Sequence, residues 1–122
     1  MNIKKIAIIA ALMLIFDSIY LSTIGGPLFT PMIAQIQSTK FKLNYTGAIL
    51  AYLLMMLSLY HFILKDNNSP MDAFILGFTI YGIFDATNLA IFKDWKPELA
   101  LIDTLWGGVL FYTLTFIHNK LK

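Results

Sequence analysis

Four stretches of the chain are long enough and apolar enough to cross a membrane. An α-helix rises about 1.5 Å per residue, so about 20 apolar residues span a hydrocarbon core of about 30 Å. Polar turns containing Pro70 and Pro97 separate the later stretches. The stretches run from about Ile3 to Ile24, Asn44 to Leu64, Met71 to Phe92 and Leu99 to His118. The pattern predicts an all-α fold, a bundle of four transmembrane helices.

The first connector, residues 25–43, is longer than the other two and has a pattern of its own. Gly25-Gly26-Pro27 is expected to end the first helix. One helical face then carries only apolar side chains, opposite Gln35 and Gln37; they are Leu28, Phe29, Met32, Ile33 and Ile36. This pattern predicts a short helix lying in the membrane interface, and the alternative is an ordinary loop.

Composition supports a membrane protein and removes several functional classes. The chain has 122 residues, of which 58% are hydrophobic and 13% are charged, whereas a soluble domain has about 25% charged residues. We therefore expect residues 1–122 to form a single four-span domain in a lipid bilayer. The net charge of +2 without a basic run argues against nucleic-acid binding, and the lack of cysteine excludes disulfides and thiolate chemistry.

The distribution of lysine predicts the orientation. The side with both termini and the second connector holds five lysines, and the other side holds Lys40, Lys42, Lys93 and Lys96. The positive-inside rule then places both termini in the cytoplasm. Trp95, in the last turn, is a residue suited to the membrane interface.

Three aspartates lie inside the apolar stretches, far from the lysines at the stretch ends that could neutralise them: Asp17, Asp85 and Asp103. A carboxylate at mid-bilayer costs roughly 2.5–3.5 kcal/mol on insertion scales. By helix rise, Asp17 and Asp85 lie about 10 Å from the ends of their spans, and Asp103 about 7 Å from the start of the fourth. All three are thus expected at one depth, nearer one membrane face.

Each aspartate has polar or aromatic companions at helical spacing. Tyr20 follows Asp17 by three residues, Tyr81 and Asn88 flank Asp85 by one turn, and Trp106 follows Asp103 by three. Tyr52 lies at a similar depth in the second span. The predicted ligand-binding set is Asp17, Tyr20, Tyr52, Tyr81, Asp85, Asn88, Asp103 and Trp106. The alternative is structural, with the aspartates hydrogen-bonding between helices and the aromatic residues packing or anchoring.

The first and third spans contain similar heptapeptides. Residues 15–21 read Ile-Phe-Asp-Ser-Ile-Tyr-Leu, and residues 83–89 read Ile-Phe-Asp-Ala-Thr-Asn-Leu. The two spans run in the same direction, so a duplication would consist of two parallel helix hairpins. Four identities in seven residues of biased composition also fit chance or convergence.

Residues 81–107 resemble a known family of membrane proteins. Residues 81–90 read Tyr-Gly-Ile-Phe-Asp-Ala-Thr-Asn-Leu-Ala, Trp95 follows, and residues 103–107 read Asp-Thr-Leu-Trp-Gly. They are similar to the uncharacterised four-span family called domain of unknown function 2177. That family has Tyr-Asp-Leu-Thr-Asn-Leu-Ala in span 3, Asp-x-x-Trp-Gly in span 4 and an Asp near the end of span 1, matched by Asp17. Phe84 and Ala86 replace its usual Tyr and Leu. The resemblance implies the fold and the membrane location and carries no activity.

Three functions fit these residues. The first is binding or transport of a small molecule or ion in an aspartate-lined cavity, which for transport implies a homo-oligomer because four helices enclose little. The second is a membrane enzyme acting on lipid or isoprenoid, with carboxylates as acid and base or as ligands of a hard cation. The third is a structural or accessory subunit. The sequence identifies no catalytic residue, metal or cofactor.

Overall fold

The computed structural model describes residues 2–121, which form helices joined by short turns and no strand. Four helical segments are long and apolar enough to cross a membrane, as the apolar pattern predicts. A π-helical turn, residues 21–25, joins the first two helices, and another, residues 60–64, extends the third. The helices are α1 (Ile3–Tyr20), α2 (Gly26–Gln37), α3 (Tyr45–Leu59), α4 (Pro70–Ile91) and α5 (Pro97–Lys120).

Local capping residues determine where the spans begin. The side chains of Asn2, Asn44 and Ser69 each accept a hydrogen bond of 3.1 Å from a backbone N–H in the first turn of α1, α3 and α4. Pro70 and Pro97 occupy the first positions of α4 and α5, where the missing N–H of proline has no intrahelical partner to lose. The four spans are therefore bounded by signals that are readable in the sequence.

The expectation that Gly25-Gly26-Pro27 ends the first helix is wrong. The chain stays helical from Ile3 to Gln37, because the π-helical turn changes the hydrogen-bond register ahead of Pro27. The Gly26 N–H bonds to the Leu21 carbonyl. The hydroxyls of Ser22 and Thr23 donate to the carbonyls four residues earlier, at 2.8 and 2.6 Å. A proline can thus follow the turn without ending the helix.

The helix predicted in the first connector is present as α2, and its apolar face contacts protein. Its buried face packs on the turn before α5 and on the first residues of α5; the cluster comprises Phe29, Met32, Ile33, Ile36, Trp95, Leu99 and Ala100. The Lys96 backbone N–H lies 3.3 Å from the Met32 sulfur. Trp95, expected at the interface, is covered by this packing and only 6% exposed. α2 therefore forms a cover over one end of the bundle.

Helices α4 and α5 pack closely against each other because glycines allow their backbones to come into contact. A Cβ at Gly77 would overlap the Gly107 carbonyl, and a Cβ at Gly108 would come 2.7 Å from the Phe74 ring. Small residues at a crossing point are how membrane helices approach closely. The core beside this crossing contains Ile9, Met13, Leu59, Ile63, Leu64, Ala73, Leu110, Phe111 and Leu114. It occupies the half of the bundle nearer the termini.

The two ends of the bundle differ in what they hold. Residues from the start of α1, from the α3–α4 turn and from the end of α5 line one shared cavity, so both terminal segments lie at the same end. The other end holds α2 and the 92–96 turn. The spans thus alternate in direction, and the predicted cytoplasmic location of the termini stays a prediction.

Candidate functional site

Asp17 lies at the centre of the first of two polar groups, which we call the Asp17 centre: Asp17, Tyr52, Tyr81 and Trp106. The Trp106 indole N–H donates to Asp17 Oδ1 at 2.9 Å, and the Tyr81 hydroxyl donates to the same oxygen at 3.4 Å. The Tyr52 hydroxyl donates to Oδ2. The donors come from α5, α4 and α3 in turn. One carboxyl group on α1 is therefore tied to every other span, and Asp17 is only 6% exposed.

Glycines make room for the aromatic rings around Asp17. A Cβ at Gly107 would overlap the Tyr81 ring, so only glycine leaves space for Tyr81 to reach towards α1. A Cβ at Gly25 would come 2.7 Å from a ring carbon of Tyr20. The π-helical turn that contains Gly25 thus also gives the Tyr20 ring its place, and Tyr20 is 4% exposed.

Tyr20 and Trp106 connect the Asp17 centre to a second polar group. Their rings stack with centroids 4.8 Å apart and an interplanar angle of 5°. The Tyr20 hydroxyl donates to Asp103 Oδ1 at 3.1 Å. The stacked rings therefore lie between Asp17 and Asp103, and the three predicted carboxyl groups form two neighbouring sites and not a single one.

The second group is the Asp85–Asp103 pair. Asp85 is 1% exposed, and within residues 2–121 neither of its carboxyl oxygens has a hydrogen-bond partner. The Asp103 carboxyl and the Trp95 indole N–H both lie close enough to interact with it. Neither makes a hydrogen bond of normal geometry to it, and the Trp95 nitrogen has no other partner among these residues. Two adjacent carboxyl groups in a dry setting do not both stay charged without help. The pair can share a proton, or it can hold a cation.

Two cavities reach Asp103. The larger measures about 380 Å³ and lies between α3 and α4, and its lining is apolar apart from a few groups; it consists of Ala51, Leu54, Met55, Ser58, Ile80, Tyr81, Phe84 and Asp103. The smaller measures about 190 Å³ and lies beneath α2, where Gly25, Phe29 and Trp95 contribute to its wall. Phe84 and Asp103 border both cavities. One carboxyl group is thus accessible from two directions.

The structure brings together seven of the eight residues in the predicted set. Asn88 is the exception: it is half-buried on α4, and no hydrogen bond between its side chain and the three aspartates is seen in residues 2–121. Sequence reasoning missed the cavity walls supplied by Met55, Ser58 and Phe84. Met55 could have been found, because it lies one helical turn after Tyr52 on the same face.

Nowhere between residues 2 and 121 do three or more His, Asp or Glu side chains come close enough to hold a metal ion together. Asp17 is engaged by its own donors, so the carboxyl groups that remain for a ligand are the two of the pair.

Comparison with known proteins identifies the family. The family model described as Predicted membrane protein (DUF2177) matches residues 2–118. No curated protein and no solved structure matches the chain. The chain belongs to this family of predicted membrane proteins, as its resemblance over residues 81–107 predicts, and it is a membrane protein with four candidate spans.

Proposed function

We propose that this family member binds a cation with an apolar body, and that the Asp85–Asp103 pair receives the charged group. The observation that carries the proposal is a pair of adjacent carboxyl groups beside an apolar cavity, with no basic side chain from residues 2–121 against them. A binding site for such a ligand needs both features. The carboxyl groups attract the charged group of the ligand, and the apolar walls contact the rest of it.

The Asp85–Asp103 pair would be costly to bury in its charged form. An isolated carboxylate in an apolar setting is unstable unless it is protonated, hydrogen-bonded or paired. Asp17 accepts three hydrogen bonds, whereas Asp85 makes none of normal geometry among residues 2–121 and has only the Trp95 indole N–H beside it. Every lysine lies in a connector or at an end of a span. The compensating positive charge for the pair must therefore be a proton or a cation from outside.

The cavity suits an apolar cation better than a hydrated metal ion. Its volume of about 380 Å³ falls within the range of about 300–1,000 Å³ typical of small-molecule pockets. Leu54, Met55 and Ile80 supply apolar walls, and Tyr81 and Phe84 supply aromatic rings. Aromatic faces attract organic cations, and the attraction is stronger when water is excluded. The cavity lies between two spans, so such a ligand can enter from the bilayer.

The same geometry supports transport by exchange. A proton and a cation compete for the pair, so binding of one releases the other. A carrier built on this competition would move the cation in one direction and a proton in the other. Because four helices enclose little space, we propose that the transporting form is a homo-oligomer.

The test measures binding of tetraphenylphosphonium to the protein in lipid nanodiscs by titration calorimetry. Asp103→Asn should weaken binding at least about 30-fold, since removing one partner of a buried charge pair costs about 2 kcal/mol or more. Asp85→Asn should act in the same direction. The matched control is Asp94→Asn, an exposed carboxyl in the 92–96 turn, which should bind like the wild type. Equal affinity in all four proteins would refute the proposal.

A further inference from the structure

A further cavity, with a polar lining, lies at the end of the bundle that holds both terminal segments. It measures about 210 Å³, several times the ~30 Å³ that a water molecule occupies in the liquid. We call it the terminus cavity, and it is lined by Asn2, Lys5, Ile6, Tyr60, Leu64, Lys65, Asn67 and His118. It shares no lining residue with the cavities at Asp103. The proposed cation site therefore does not use it.

Among residues 2–121, the titratable side chains that line the terminus cavity are Tyr60 and three basic residues. Lys5 comes from α1, Lys65 from the turn after α3, and His118 from α5, and no carboxyl group is part of the lining. Lys5 is half-buried and His118 is only 6% exposed, so two of the three basic groups are held by the fold. Three separate chain segments thus bring basic side chains to one cavity, where an anion would compensate the two lysine charges and the His118 ring could donate a hydrogen bond to it.

The uncharged lining residues suit a phosphate group with an apolar attachment. Tyr60 supplies a hydroxyl and Asn67 supplies an amide, both able to donate to phosphate oxygens. Asn2 marks the start of α1, where backbone N–H groups and the helix dipole favour negative charge. Ile6 and Leu64 complete the lining with apolar side chains. Charge, donors and apolar wall are therefore available in one place.

We propose that the terminus cavity binds a phosphate group through Lys5, Lys65 and His118. Because the cavity lies where the spans end, an anionic phospholipid can supply this group from the bilayer, with its glycerol side against Ile6 and Leu64. A free phosphate from water would use the same basic groups without the apolar wall. Bound phosphate would connect α1, the α3–α4 turn and α5.

The experiment compares lipid retention in two charge-matched variants. The protein is purified in detergent with added phosphatidylglycerol, and bound lipid is measured by native mass spectrometry. Lys5→Gln/Lys65→Gln should bind this lipid at least about tenfold more weakly, because each lysine near an anionic lipid contributes to attraction. Lys40→Gln/Lys42→Gln removes the same charge from the connector at the opposite end and should bind like the wild type.

A second arm separates the two sources of phosphate. Inorganic phosphate is added to lipid-stripped protein, and the melting temperature is followed. Stabilisation by phosphatidylglycerol and not by inorganic phosphate identifies a lipid site, and stabilisation by both identifies a site for phosphate from either source. Equal lipid retention in both double variants, together with no stabilisation by inorganic phosphate, overturns the proposal. If the first variant does not fold, Lys65→Gln alone provides the test, since Lys65 is exposed. Because Asp103 is not involved, loss of cation binding would not affect this result.

Discussion

Asp17 and Asp85 lie in heptapeptides of the same pattern, and both are buried, yet their carboxyl groups have different surroundings. Asp17 accepts hydrogen bonds from Tyr52, Tyr81 and Trp106. Asp85 accepts none from residues 2–121 and lies next to a second carboxyl group, Asp103. The same local sequence therefore gives one satisfied polar group and one unsatisfied polar group.

Because their surroundings differ, we propose different roles for Asp17 and Asp85. A buried carboxyl group with three donors stabilises the packing of the helices that supply them. A buried carboxyl group without donors costs free energy, and such groups in membrane spans mark binding or proton-transfer sites. We therefore propose helix pairing for Asp17 and ligand exchange for the Asp85–Asp103 pair. Four substitutions test this difference between Asp17 and the pair.

The largest effect is expected from Asp17→Ala. It removes the common acceptor of three hydrogen bonds and leaves three half-buried donors unpaired, so the free energy of unfolding should fall by about 2–3 kcal/mol. Unfolding in mixed micelles with increasing SDS measures this. Asp72→Ala, an exposed carboxyl at the start of α4, is the control. A loss below about 0.5 kcal/mol for Asp17→Ala would remove the structural role.

Gly107→Ala should have the next largest effect. The new Cβ would overlap the Tyr81 ring, and overpacking of this kind costs about 1–3 kcal/mol. Gly47→Ala is the matched control, because its Cβ would lie 4.0 Å from the nearest atom, Asn44 Oδ1. That change should be neutral or stabilising by up to about 1 kcal/mol. Similar unfolding curves for the two variants would show that Gly107 does not position Tyr81.

Tyr20→Phe should have a moderate effect. It removes the hydrogen bond to Asp103 but keeps the stack on Trp106, and a single bond between membrane helices averages about 0.6 kcal/mol. Cation affinity should change severalfold, because Asp103 loses the donor that orients it. Calorimetric titration with tetraphenylphosphonium measures this change. Tyr112→Phe, on the exposed side of α5, should leave the affinity unaltered.

Asp85→Asn should have the smallest effect on stability. The carboxyl group makes no hydrogen bond with residues 2–121, so a neutral side chain of the same shape should change the free energy of unfolding by less than about 0.5 kcal/mol. The same SDS titration tests this beside Asp17→Ala. A loss as large as that of Asp17→Ala would erase the distinction between the two aspartates.

The sequence predicts the four spans because hydrophobic length and the caps at Asn2, Asn44 and Ser69 act locally. The continuity of α1 and α2 was not predictable in the same way. It depends on a change of hydrogen-bond register that the hydroxyls of Ser22 and Thr23 support. In sequence, Gly-Gly-Pro more commonly signals the end of a helix.

Helix rise places the three aspartates at one depth, but depth does not determine their partners. The rotation of each helix and the close crossing at Gly77 and Gly107 decide that Tyr52, Tyr81 and Trp106 converge on Asp17. The helix rotations and the crossing depend on contacts between residues far apart in sequence. The unsatisfied state of Asp85 follows from the same contacts, so only the three-dimensional structure distinguishes it from Asp17.

Infrared difference spectroscopy of the reconstituted protein can detect whether a cation displaces a proton from the Asp85–Asp103 pair. Addition of tetraphenylphosphonium should remove the absorption of a protonated carboxyl group, because the cation displaces the proton from the Asp85–Asp103 pair. We expect this change to be retained in Asp17→Asn and lost in Asp85→Asn and Asp103→Asn. A carboxyl signal that disappears only in Asp17→Asn, or that the cation leaves unchanged in the wild type, would contradict it.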